Sequence, residues 1–265
     1  MQNLDRSISV LQSQPYSKFY NLEPNDKRCL LTADIDWAPD FCIKYMLDIF
    51  RELEIPLTCF ATHDSEILRS AQRQGQIEIG LHPDNTRPEP EHGLTRKIEN
   101  LKKLYPGAIG LRCHRNFFGQ NIAEMAVKSS ISYDISTFLW NQPFISGYKD
   151  QFGINRFSYF WEDGIQLDTE TELEVSKINF NTVGLKIFNI HPLLFYLNTV
   201  SDDQRRDAVR GITDLTKVEE SYLSKYRKSD YGITNFTLDL IKKLKSENFQ
   251  FFLCRDLLAQ EKELL

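Results

Sequence analysis

The sequence predicts an α/β protein built on a parallel sheet or barrel, and three observations carry that prediction. Short apolar runs of β-forming residues alternate with stretches of helical periodicity. Most of the runs end in polar or charged residues, as strands do at the mouth of an α/β sheet, where such proteins keep their sites. With 265 residues, 41% of them hydrophobic and 18 of them Phe, the chain can bury one large core.

The first strand is Cys29-Leu30-Leu31-Thr32-Ala33, running into Asp34-Ile35-Asp36-Trp37, with Pro39 at the start of a helix. Asp34 and Asp36 are two apart, so both face one cavity if the strand stays regular that far; in the plainer reading they are solvated or cap the helix. Cys42, Met46, Ile49, Phe50 and Leu53 recur at helical spacing. Ile55 to Ala61 reads as the second strand and ends at Thr62-His63-Asp64; Asp64 or Ser65 caps a helix through Arg73, and Gly75 stops it. The third strand, Gln76 to Leu81, ends in His82-Pro83-Asp84-Asn85, and a turn-rich loop runs from Thr86 to Gly93.

Leu94, Ile98, Leu101 and Leu104 mark the next helix, stopped by Pro106-Gly107. Ile109-Gly110-Leu111 leads into Arg112-Cys113-His114-Arg115, and a helix around Ile122 and Met125 precedes a strand at Ile131 to Asp134. The aromatic-rich stretch 137–176 is less regular; Trp161-Glu162-Asp163-Gly164 within it reads either as a plain turn or as part of a site. Leu185 to Ile190 is a late strand capped by His191-Pro192. A charge-rich segment over 202–230 reads as an inserted lid, and a helix from Ile233 and a strand over 249–254 close the domain. The domain therefore covers 28–265, preceded by a polar arm over 1–27.

The net charge of −5, with acids and bases mixed, offers no basic stripe to a nucleic acid. The first residues lack the charged and apolar blocks of a secretory signal, and no run is long enough to be transmembrane. Five cysteines, Cys29, Cys42, Cys59, Cys113 and Cys254, have no Cys-x-x-Cys spacing and sit mostly in apolar runs. They read as buried hydrophobes in a reducing compartment, which makes a cytoplasmic protein the expectation.

All five histidines, His63, His82, His92, His114 and His191, fall at strand ends or in adjoining loops. With Asp34 and Asp36 they make a nitrogen and oxygen donor set suited to a divalent metal such as Zn²⁺, which lowers the pKa of a bound water enough to make it a nucleophile.

The order of these residues resembles the polysaccharide deacetylase (NodB-homology) superfamily. Thr32-Ala33-Asp34-Ile35-Asp36 is similar to its first motif, Thr-Phe-Asp-Asp-Gly, with a residue inserted between the carboxylates. Glu78-Ile79-Gly80-Leu81-His82 resembles the strand into the second motif, Leu111-Arg112 followed by Asn116-Phe117-Phe118 the third, and Ile187 to Pro192 the last. The resemblance spans about residues 28–256 and implies a distorted (β/α) barrel with its site at the C-terminal strand ends.

The family's His-x-x-x-His is broken, because Thr86 stands four residues after His82, and the third motif lacks its proline. His92, in Pro-Glu-His-Gly, is the expected replacement and His114 its rival; the His-Pro-Asp-Asn and His-Gly pieces resemble a divergent branch tied to bacterial lipopolysaccharide and O-antigen gene clusters. Carried over, the resemblance implies Asp36, His82 and His92 as ligands of a divalent metal, most simply zinc. It implies Asp34 as general base, Arg112 as its orienting partner and His191 as general acid. Trp37, His63, Asn85, His114, Trp161 and Asp163 are then expected to meet the substrate. The implied activity is removal of an N-acyl group, chiefly acetyl, from an amino sugar or glycan, with a nucleotide- or lipid-linked form among the candidates. A hydrolase of a small non-sugar amide and an inactive barrel that only binds are the competing readings.

Overall fold

β1 (Arg28–Asp34) is the strand on which the sheet is centred, and every residue after Arg28 is buried. The structure, a computed structural model, describes residues 27–86, 96–169 and 172–258. The expected arm over 1–27 therefore lies outside the described residues except for Lys27, and His92 lies outside them as well. β2 (Leu57–Ala61) and β3 (Ile77–Leu81) are buried at every position, as strands covered on both faces must be. They are followed by β4 (Gly110–Leu111), β5 (Tyr133–Phe138), β6 (Tyr148–Lys149), β7 (Asn155–Tyr159), β8 (Trp161–Glu162), β9 (Lys186–Ile190) and β10 (Gln250–Phe252).

The strand order is β6-β7-β5-β4-β3-β2-β1-β9-β8, with β10 pairing β1. All described pairings are parallel except β6 with β7. One edge of β1 is shared: β10 takes Arg28 to Leu30 and β2 takes Leu31 to Asp34. The segment Asn155–Glu162 changes partner midway. Through β7 it pairs with β5, at Phe160 it donates to Ile187 O (2.6 Å), and through β8 it pairs with β9. That crossing carries the curled sheet round toward its own start and makes it a distorted barrel of parallel strands, as expected.

Helices cover the outside. Asp40–Glu52 buries Cys42, Ile43, Met46, Leu47 and Phe50, the three-and-four spacing of a single apolar face. Ser65 caps Glu66–Arg73, accepting from Leu68 N at 3.3 Å and donating to Asp40 Oδ1 at 2.6 Å. Gly75 then takes φ +73, the left-handed conformation that favours glycine at a helix exit.

The charge-rich segment expected as a lid forms the helices Asp202–Val209 and Glu220–Leu223. Most of its charges are exposed, but Ala208 and Leu223 are fully buried in the core cluster. Gln204 Nε2 donates to Tyr226 O (2.7 Å), and Arg227 lies over the rings of Tyr45 and Tyr196. A few apolar anchors thus tie a polar segment into the fold. Among the described residues no helix is long and apolar enough to cross a membrane.

Candidate active site

The C-terminal ends of β1, β3, β4 and β9 deliver the polar residues that the sequence places there. β1 ends at Asp34, and the chain turns at once: Asp36 and Trp37 both adopt left-handed backbone conformations, φ 44 and 57. Such a pair is uncommon away from glycine and persists only where the surroundings enforce it. Here Trp37 N donates to Thr62 Oγ1 (2.9 Å) and Ala38 N to Ile35 O (2.8 Å). Asp36 consequently reaches the same side as Asp34 by a turn rather than by strand alternation.

Asp36 Oδ1 lies 3.1 Å from His82 Nε2 and 3.2 Å from His114 Nδ1, and the two ring nitrogens are 3.4 Å apart. This buried oxygen has no hydrogen-bond donor aimed at it. Ligand atoms around a tetrahedral ion with bonds of about 2.0–2.1 Å stand about 3.3–3.4 Å apart, so the triangle has the size a zinc ion needs. Asp36, His82 and His114 are the three-residue donor group found among the described residues.

The electrostatics point the same way. Burial works to raise the Asp36 carboxyl, yet the close imidazoles of His114 and His82 and the charge of His191 hold it well below the usual range. Burial works to lower His82, and the Asp34 and Asp36 carboxylates raise it instead. The cluster therefore demands a cation, which either protons or a metal ion that displaces them can supply. His82 Nδ1 meets Arg112 O at 2.6 Å, which fixes that nitrogen as the donor and turns Nε2 into the cluster.

Behind this triad Asp34 is 4% exposed and held by two donors, Arg112 Nη1 on Oδ1 and Asn189 Nδ2 on Oδ2, both at 3.0 Å. Arg112 is fully buried between the rings of Phe60 and Tyr159 and also donates to Thr32 Oγ1, Asn189 Oδ1 and Ile135 O. Burial alone would lower its pKa, and the Asp34 carboxylate beside it raises it. On the other side His191 Nε2 is 3.5 Å from Asp36 Oδ2. Its Nδ1 meets Asp163 Oδ1 at 2.6 Å, and its backbone N donates to Asp163 Oδ2 at 2.8 Å. Burial would lower the imidazole, but Asp163 raises it well above its ordinary value.

Of the residues expected at the substrate, Trp37 lies edge-on to His114, 5.2 Å between centroids, and borders a cavity of about 330 Å³. His114 itself sits inside the triad. Three others are placed differently from expectation. Trp161 is fully buried, stacked on Phe236, with its indole donating to Gln166 Oε1, so it serves the core. Asn85, 1% exposed, donates to Cys113 Sγ at 3.2 Å and braces the His114 loop. Asp163 is fully buried under His191 and meets that histidine, not solvent. His63 is half-buried beside Thr62 Oγ1 (2.9 Å), and burial lowers its pKa.

The sequence reading missed Thr32, Asn189 and Glu162. The available signal was a polar residue inside an apolar strand, as in Ile187-Phe188-Asn189-Ile190. Glu162 pairs in register with Asn189 and borders, with Asp36, His114 and His191, a second cavity of about 450 Å³.

A sequence comparison with the curated proteins gives no match. Among solved structures, a candidate polysaccharide deacetylase involved in O-antigen biosynthesis from Bordetella bronchiseptica (WbmS) superposes with a TM-score of 0.71. It is 24% identical, over 82% of this chain and 90% of that one. A family 4 carbohydrate esterase from Bacillus anthracis (13% identical, 95% and 91% covered, TM-score 0.39) and a CE4 family pseudoenzyme from the same organism (12%, 94% and 71%, TM-score 0.41) are more remote. The family model of the WbmS-like polysaccharide deacetylases matches residues 31–209. On that match the chain belongs to the WbmS-like polysaccharide deacetylase family.

Proposed function

We propose that this protein is a metal-dependent hydrolase that removes an N-acyl group, chiefly acetyl, from an amino sugar during synthesis of a bacterial surface glycan. The observation that carries the reading is the triangle of Asp36, His82 and His114 set between a braced carboxylate, Asp34, and a histidine backed by a carboxylate, His191. Asp36, His82 and His114 would hold the ion, with zinc suited to one oxygen and two nitrogen donors at this spacing. When bound it would supply Lewis acidity, lowering the pKa of water and stabilising charge on the amide oxygen.

The chain's own groups do the proton work. Asp34, paired with Arg112, takes a proton from the attacking water. Arg112 and Asn189, one on each oxygen, fix the direction of that carboxylate. His191 presents Nε2 to the cavity while Asp163 occupies Nδ1, so the ring is held in the orientation to give a proton to the departing amine. The surface-glycan setting is supported by the O-antigen role stated for the Bordetella protein, and a cytoplasmic location by the five buried free cysteines.

The test is metal content together with acetate release from N-acetylated amino sugars, free and carrier-linked. His82→Ala and His114→Ala should each lose one equivalent of zinc and all measurable turnover, with His92→Ala retaining both. Zinc lost from His92→Ala and kept by His114→Ala would replace His114 by His92 in the ligand set. Acetate release by wild-type protein that holds no bound metal would sink the metal-dependent reading.

A further inference from the structure

Two arginines border the 450 Å³ cavity and take no part in the proton transfers assigned above. Arg115 immediately follows His114 and is held with φ 54 and ψ 26, Asn116 following at φ 57. Two consecutive left-handed non-glycine residues are costly, and strain of this kind gathers where a side chain has to be aimed. Arg115 borders both the 450 Å³ cavity and the 330 Å³ one and therefore stands between them. Among the described residues its guanidinium has no ion-pair or hydrogen-bond partner.

Arg205 reaches the 450 Å³ cavity from the helix Asp202–Val209. Its acid partner Asp202 also pairs with Arg206, so Arg205 shares its one carboxylate with a second guanidinium. The carboxyls on this cavity beyond Asp36 are Glu162 and Asp168, which come from the β8 segment around Asp163. Arg115 comes from the segment after β4 and Arg205 from the helix Asp202–Val209, further along the chain from β9. The rim thus presents one guanidinium with no partner among the described residues, Arg115, and one that shares its carboxylate, Arg205.

We propose that Arg115 and Arg205 form a subsite for an anionic group, a phosphate or a carboxylate, carried by the amino sugar whose N-acyl group is removed. The acyl chemistry in this statement rests on the deacetylase reading; the anion preference rests on the arginines. A guanidinium offers only donors, in a fork that matches carboxylate and phosphate oxygens two at a time, so an unpaired one beside a substrate cavity selects for such groups. A neutral glycan would leave the charge on Arg115 unanswered and Arg205 with only a shared carboxylate.

The test is calorimetric titration of the full chain, zinc present, with three sugars: N-acetylglucosamine, its 1-phosphate and its uronic acid. At least one charged sugar should bind about tenfold or more tightly than the neutral one, the size expected of one good charge-assisted pair. The preferred sugar, phosphate or uronate, identifies the source of the anion. Arg115→Gln and Arg205→Gln should each remove most of that advantage, and Arg115→Lys should keep part of it because it retains charge without the fork. Equal affinity for all three sugars, no measurable binding of the charged ones, or an advantage that survives both Gln variants overturns the proposal. Acetate release from the same sugars is scored separately. No release with the charge preference intact counts against the deacetylase reading alone, and release without the preference counts against the anion subsite alone.

Discussion

Replacing Asn189 by Ala tests whether the buried brace behind Asp34 is what fixes this proposed base. Asn189 is fully buried and makes three side-chain hydrogen bonds. It accepts from Arg112 Nη1 (2.5 Å) and Thr32 Oγ1 (3.0 Å) and donates to Asp34 Oδ2 (3.0 Å). Two of the three go to charged groups, each worth about 1.5–3 kcal/mol when buried. Water entering the space left by the amide recovers part of the loss, so a net destabilisation of about 2–4 kcal/mol is expected. For a domain of this size that lowers the thermal midpoint by roughly 5–15 °C. Turnover should fall about 10- to 100-fold, the usual cost of removing a supporting partner from a functional group. Bound zinc should stay at one equivalent, because Asn189 hydrogen-bonds Asp34, Arg112 and Thr32 rather than the triad. Differential scanning calorimetry, acetate release and metal analysis read the three effects. A midpoint within 2 °C of wild type with turnover unchanged would show that Arg112 alone orients Asp34, and loss of zinc would show that the brace supports the triad instead.

Other outcomes follow from the same geometry. Asp163→Asn should leave metal content and the fold unchanged but lose about 10²- to 10⁴-fold in turnover, as His191 loses the negative charge that favours its protonated ring; a loss under tenfold would remove Asp163 from the mechanism. The five cysteine thiols are buried, and burial pushes their pKa values up. None should react with a thiol reagent at pH 8 until denaturant is added, and rapid labelling of the native protein would contradict that packing. Trp161→Ala should unfold or strongly destabilise the protein, by about 3–5 kcal/mol, whereas Trp37→Ala should leave the thermal midpoint nearly unchanged while weakening sugar binding. Excising 202–230 for a short turn should lower the midpoint by more than 5 °C, since Ala208 and Leu223 are core residues; an unchanged midpoint would make the segment a dispensable cover.

Much of this was legible because strands that end in polar residues announce themselves. β1, β2, β3, β4 and β9 fall where apolar runs stop, and Asp34, His82, Arg112 and His191 stand at those stops. The sequence was silent where burial depends on partners far along the chain. Trp161 and Asp163 sit in a segment that reads equally as a turn, and only the packing of Phe236 and the reach of His191 decide that both are interior. Charge misled in the segment 202–230, since a polar helix needs only an Ala208 or a Leu223 to be anchored. Asn189 went unread because a single amide in an apolar strand gains its meaning from Arg112, 77 residues away in sequence.

The choice between His114 and His92, which lies outside the described residues, turns on how the loops hold each other. His114 N donates to Pro83 O (3.0 Å), tying the loop after β4 to the loop after β3. Cys113 N donates to Ser136 Oγ (2.7 Å), Ser136 Oγ donates to Asp134 Oδ1 (2.5 Å), and Arg156 Nε is 2.9 Å from Asp134 Oδ2. From the other side Asn85 holds the Cys113 thiol. One loop carries His82 and the next carries His114, and they are stitched together before either reaches Asp36. Asp36 is in turn presented by a strained turn that Thr62, at the end of β2, pins through Trp37 N. Strand alternation therefore supplies Asp34, the proposed base, while the three metal-ligand candidates depend on contacts between consecutive loops. On that account, cutting the stitch at Ser136 should loosen the metal site while leaving the Asp34 to Arg112 pair intact.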